Sequence, residues 1–162
     1  MSKTPIISEE AIDKVLLYFE LLEDEKIYEQ LFDEFEKEQP YLFAYLYSES
    51  TEIFTKEEHE YLISLAIIIW KVVKNNDTSK KDIIDADTIE DIDEQNWEII
   101  EQSASAKFRD KVSPFFENYA QQELLVFVEE SVLDDEESSI TNVGREPMFV
   151  MLKTVVDALV LD

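Results

Sequence analysis

The sequence predicts an all-α protein, a single-domain bundle of six to eight mostly antiparallel helices around a central apolar helix at about residues 56–74. Three observations predict it. Apolar residues recur at helical spacing through most of the 162 residues. Gly144 is the only glycine, whereas hairpin turns, phosphate loops and nucleophile elbows use glycine where φ is positive or a ligand approaches the backbone. Core material is ample: 45% of residues are hydrophobic, with ten Phe, seven Tyr and two Trp. A chain of this length folds on such a core without staples, and with no cysteine it has no disulfide or thiolate metal site.

In chain order, Ser8 caps a first helix with the stripe Ile12, Val15, Leu16, Phe19 and Leu22. The acidic patch 23–25 opens a second, striped by Ile27, Tyr28, Leu31, Phe32 and Phe35. Pro40 starts an aromatic piece, Tyr41 to Tyr47, whose alternation also suits a strand. It is assigned as helix because no adjacent run would pair with its backbone and proline favours a first helical position.

The central helix follows, with Thr55 and Glu58 at capping-box spacing. From Tyr61 to Val73 only Ser64 and Lys71 are strongly polar, yet the uninterrupted apolar run is too short for a membrane span. The polar stretch 75–81 reads as a linker between two halves, 1–76 and 82–162. Beyond it, Asp85 to Glu94 crowd the start of a helix lined by Ile89, Ile92, Asn96 and Ile99. A short piece at 104–112 holds the basic cluster Lys107, Arg109 and Lys111, expected to pair with the chain's own carboxylates. Ser113-Pro114 opens a helix expected to run through Phe115, Leu124 and Val132. Residues 134–139 and 141–144 read as turns, and the last helix is expected to begin near Pro147 and carry a broad stripe to Val160.

Asp and Glu number 39 against 14 Lys and Arg, a formal charge of −25. Phosphate neutralisation needs cations, so direct nucleic-acid or anionic-membrane binding is not expected. A basic protein partner suits the charge, although acidity also serves solubility alone. The N-terminus, MSKTPIIS, has no basic stretch before an apolar run, so a cytoplasmic address is expected.

No catalytic kit is legible and no cofactor is expected. His59 is the only histidine, and Ile63 stands where a zinc-protease motif needs a second one, so a solvent-facing or helix-start role is expected. Asp85, Asp87, Asp91 and Asp93 invite a divalent-cation reading. The EF-hand pattern fails, because Glu90 occupies the glycine position counted from Asp85 and Gln102 the bidentate position counted from Asp91. These carboxylates otherwise serve a helix N-terminus. The expected function is therefore that of a non-enzymatic acidic interaction domain, binding a basic protein as an inhibitor, an immunity-type protein or a nucleic-acid mimic. The alternatives are a structural protein that self-associates through its C-terminal amphipathic helix, and a carboxylate-based enzyme or divalent-cation binder.

Overall fold

A computed structural model describes residues 4–77, 81–133 and 140–161. Among them are eight α-helices: α1 (Glu9–Glu20), α2 (Glu25–Glu38), α3 (Pro40–Tyr45), α4 (Lys56–Asn76), α5 (Ala86–Gln102), α6 (Phe108–Val112), α7 (Gln122–Leu133) and α8 (Asn142–Leu159). Two 3-10 turns, Glu49–Ile53 and Ser113–Phe116, complete the pattern, and no strand occurs among the described residues. None of these helices is long and apolar enough to cross a membrane.

Local chemistry explains most helix starts. Ser8, Asp24, Thr55, Asp85 and Thr141 each accept a bond from a backbone N–H in the first turn of α1, α2, α4, α5 and α8. Pro40 begins the aromatic piece as a helix, which ends at Tyr45 and gives way to the first 3-10 turn.

The expected helix from Ser113 to Val132 is two elements. The 3-10 turn ends at Phe116 and Asn118 takes φ 58°, a left-handed conformation that asparagine tolerates and an α-helix does not. Gln122 closes the break by donating from Nε2 to the carbonyls of Phe116 and Tyr119 at 2.7 and 2.8 Å. The last helix begins at Asn142, so 142–144, expected as part of a turn, are helical and Pro147 lies inside. Of the expected linker, Asn75 and Asn76 finish α4 and Asp77 caps it, while 78–80 lie outside the described residues. The expected turn 134–139 lies outside them too.

Helix α4 is central, as its composition demands, but it shares the centre with α8. Ten of the 21 residues of α4 are buried. Helix α8 packs against α4, α5 and α7 and buries every residue from Met148 to Val156. Trp70 of α4 is buried against Phe35 of α2, ring centroids 5.6 Å apart. Two buried glutamines fasten extended segments to this core. Gln121 accepts from the Ile7 N–H and donates to the Pro5 carbonyl, both at 2.9 Å. Gln39 accepts from the Ile84 N–H and donates to the Asp82 carbonyl, both at 3.0 Å. Each supplies one donor and one acceptor to backbone that has no helix or sheet partner.

Candidate functional site

The four aspartates singled out as cation candidates do not converge. Asp85 caps α5, accepting from the Thr88 N–H at 2.8 Å, a bond that lowers its carboxyl below the ordinary range. Asp93 turns inward and accepts from the Tyr45 hydroxyl at 2.5 Å. Burial raises the Asp93 carboxyl and the Tyr45 bond only partly opposes it, while burial and the same aspartate raise the Tyr45 hydroxyl. Asp87 and Asp91 point to solvent. Among the described residues no three His, Cys, Asp or Glu side chains are placed to share a metal ion.

The first polar centre lies where α4 and α8 begin. Glu58 is fully buried. One carboxylate oxygen accepts from the Thr55 N–H at 2.8 Å and closes the capping box on α4, whose other half is the Glu58 N–H bonded to Thr55 Oγ1 at 3.1 Å. The second oxygen accepts from the Thr141 N–H at 2.8 Å and the Thr141 hydroxyl at 3.1 Å. Thr141 Oγ1 in turn accepts from the Gly144 N–H at 3.1 Å, which caps α8. One carboxylate thus serves two helix N-termini, where negative charge is favoured. Burial works against the ionised form, but the bonds from Thr55 and Thr141 together outweigh it and hold the carboxyl below the usual range. The lone glycine belongs to this arrangement, since a Cβ on Gly144 would fall on the Glu58 carboxylate.

The second centre is a polar network between α5 and α8. Lys153 is only 5% exposed and donates to both oxygens of Asp157 at 2.8 and 2.7 Å. Its ammonium lies over the rings of Tyr119 and Phe115, 4.3 and 5.4 Å from their centroids. Asp157 also accepts from the Tyr119 hydroxyl at 2.6 Å and from Asn96 Nδ2 at 3.2 Å, and Asn96 reaches Thr154 Oγ1 at 3.1 Å. Burial and Asp157 push the Tyr119 hydroxyl up. Every charge here is answered internally. The arrangement ties α5, α8 and the segment before α7 together.

Asn96 on the apolar side of α5 hinted at this network in the sequence. Lys153 inside the last apolar stripe, with an aspartate four residues on, is the signal that sequence reasoning missed. His59 stands in the first turn of α4 as expected, but half-buried, with Nε2 2.7 Å from the Leu46 carbonyl and its ring edge-on to Tyr47. From the expected basic cluster, Lys111 pairs with Glu146 at 2.5 Å, while Lys107 and Arg109 are exposed.

A cleft of about 680 Å³ lies at the C-terminal ends of α2, α4 and α8. Trp70, Val73 and Leu159 line it with Lys37, Lys74 and Lys81, and its carboxylates Glu38 and Asp77 pair with Lys74 and Lys81. Cations at helix C-termini answer the dipole, so those lysines have a structural role.

Helix α5 presents a ridge of charge of one sign. Asp87, Glu90, Asp91, Glu94, Glu98 and Glu101 are all exposed, fall on one face of α5 opposite Ile89, Asn96 and Ile100, and have no ion-pair partner among the described residues. At the usual rise this ridge is about 21 Å long. Comparison with protein-family models, curated proteins and solved structures finds no match to this chain.

Proposed function

We propose that the protein works by binding, as an acidic helical interaction domain that meets a basic protein partner through the outer face of α5. The observation that carries this reading is the unpaired ridge from Asp87 to Glu101. A solvated helix face need not be so uniform. The chain's lysines, where they form ion pairs among the described residues, pair away from it. The ridge carries roughly one negative charge per 4 Å of axis, near the 3.4 Å spacing of phosphates along one DNA strand. A surface built to track a phosphate backbone would find its complement here, which favours an inhibitor, an immunity-type protein or a nucleic-acid mimic among acidic binders.

The test is calorimetric titration against a basic DNA-binding protein, using a linker histone as the probe, at two salt concentrations. The triple variant Glu90→Gln, Glu94→Gln, Glu98→Gln is compared with Glu29→Gln, Asp33→Asn, Glu36→Gln on the exposed face of α2. Both remove the same charge. Selective loss with the α5 set, and binding that survives moderate salt, are expected. Equal loss from both sets would reduce the interaction to ion exchange and overturn the reading.

The alternative in which the C-terminal helix mediates self-association lacks a free surface, because α4, α5 and α7 already cover the α8 stripe.

A further inference from the structure

The acidic ridge of α5 has an aromatic residue at its edge. Trp97 is half-buried, packed against the core yet still in reach of solvent. By helical spacing it falls between the buried line of Ile89, Asn96 and Ile100 and the exposed carboxylates. Glu94 at i−3 and Glu101 at i+4 are its neighbours on the helix surface, at the spacing that sets Cβ atoms about 5–6 Å apart.

The other tryptophan supplies the contrast. Trp70 has a lysine at i+4, and the Lys74 ammonium lies 4.9 Å from the indole centroid. Trp97 has a carboxylate at that position. Among the described residues no cation lies over its ring, and none forms an ion pair with Glu94 or Glu101. The elements packed on α5 do not reverse the local sign. Helix α3 carries no charged residue, the α8 pair Lys153 and Asp157 is closed on itself, and Lys107 and Arg109 at α6 are exposed without reaching the indole. An indole flanked by unpaired carboxylates attracts a cation twice, through the ring face and through the neighbouring charges. Guanidinium suits both better than ammonium does, because it is planar, weakly hydrated, stacks on aromatic rings and meets a carboxylate with two parallel N–H bonds.

We propose that Trp97 anchors an arginine side chain of the basic partner, with the guanidinium stacked on the indole and donating to Glu94 or Glu101. The anchor rests on the α5 ridge being the binding face, and it adds what charge alone does not supply, a preference for arginine over lysine. Tryptophan and arginine are also the side chains that most often dominate an interface.

Octa-arginine and octa-lysine carry equal charge, and an extended octapeptide, at about 27 Å, is long enough to span the ridge. Each is titrated calorimetrically in about 0.15 M salt against the original protein, Trp97→Leu, and the triple variant Glu90→Gln, Glu94→Gln, Glu98→Gln. Octa-arginine should bind the original protein more tightly than octa-lysine. Trp97→Leu should weaken octa-arginine about two- to fivefold and octa-lysine by less than about twofold, with circular dichroism unchanged. The indole N–H signals give a local reading on the original protein: octa-arginine should move that of Trp97 and leave that of the buried Trp70 in place. No selective weakening of octa-arginine by Trp97→Leu, or an unmoved Trp97 signal, overturns the arginine anchor and leaves the ridge a surface that reads charge alone. Undiminished binding of both peptides to the triple variant, or no binding to the original protein, overturns the ridge as the binding face and the anchor with it. Should Trp97→Leu disturb the fold, the indole signal of the original protein decides the matter.

Discussion

Replacing Gly144 with alanine sets two effects of opposite sign against each other. In a bare helix the change stabilises by about 1 kcal/mol, because alanine loses less backbone entropy. Here the new Cβ falls on the Glu58 carboxylate, which must leave the donors Thr55 N–H, Thr141 N–H and Thr141 hydroxyl. Bonds to a charged group contribute about 1.5–3 kcal/mol each, and a carboxylate that shifts keeps some of them, so Gly144→Ala should cost a net of about 2–3 kcal/mol. Glu58→Ala removes all three and should cost about 3–5 kcal/mol, roughly 10 °C in Tm for a chain of this size. With Glu58 already alanine, Gly144→Ala meets no carboxylate and should be neutral or stabilising by up to about 1 kcal/mol. The double-mutant cycle, run by urea unfolding followed by circular dichroism, should therefore give a coupling of about 2–4 kcal/mol. Equal costs for Gly144→Ala in the two backgrounds, within about 0.5 kcal/mol, would refute the shared cap. The pH dependence gives a second check. Because the folded-state carboxyl lies below its unfolded value, the Glu58 contribution is complete above the unfolded pKa of about 4.3 and is lost as pH falls through the folded one. The Tm gap between the original protein and Glu58→Ala should stay constant from pH 7 to about 5 and narrow below about 4.

Trp70→Ala should cost about 3–5 kcal/mol by urea unfolding, because the indole is buried against Phe35; a near-neutral result would place it on an accessible face. Asp157→Ala strands the buried Lys153 and the Tyr119 hydroxyl and should cost about 3–5 kcal/mol, against about 1–2 for Tyr119→Phe in the same assay. For Asp93 the folded carboxyl lies above its unfolded value, so ionisation opposes folding at neutral pH. Asp93→Asn, which retains an acceptor for Tyr45, should raise Tm modestly at pH 7, with the gain fading as pH falls through the folded pKa.

How much of this was legible depended on whether each partner lay within a helical turn. The Ser8 cap, the Thr55 and Glu58 capping box and the stripe of α4 are local patterns, and each appears where the spacing places it. Thr141 and Gly144 were equally local, yet Pro147 is a conventional helix-start residue and drew the expected boundary away from them. The break at Asn118 left no such mark, since Ser113-Pro114 and the following aromatics fit a continuous helix until one asparagine takes the left-handed conformation. The second role of Glu58 spans 83 residues, and no spacing within one chain segment signals it. Separations of 58 and 116 residues bring Asn96 to Thr154 and Gln121 to Pro5, so the buried polar centres come from tertiary packing and not from periodicity.

Those same long-range contacts say why a bundle with so uniform an apolar stripe on α8 settles in one register. Val150, Leu152, Val155 and Val156 would bury nearly as well if α8 slid one turn along α4 and α7, because aliphatic packing tolerates exchange among similar volumes. A one-turn slide does not tolerate Glu58. It would move Thr141 about 5 Å from the carboxylate and put a residue with a Cβ where Gly144 stands. The same slide would carry Lys153 and Asp157 past Tyr119 and Asn96, leaving buried charge without its bonds. Disabling both centres at once, with Glu58→Gln and Lys153→Met plus Asp157→Asn, should therefore leave helical content intact while broadening the amide proton signals of α8. If α8 stays as sharp as in the original protein, apolar packing alone sets its register.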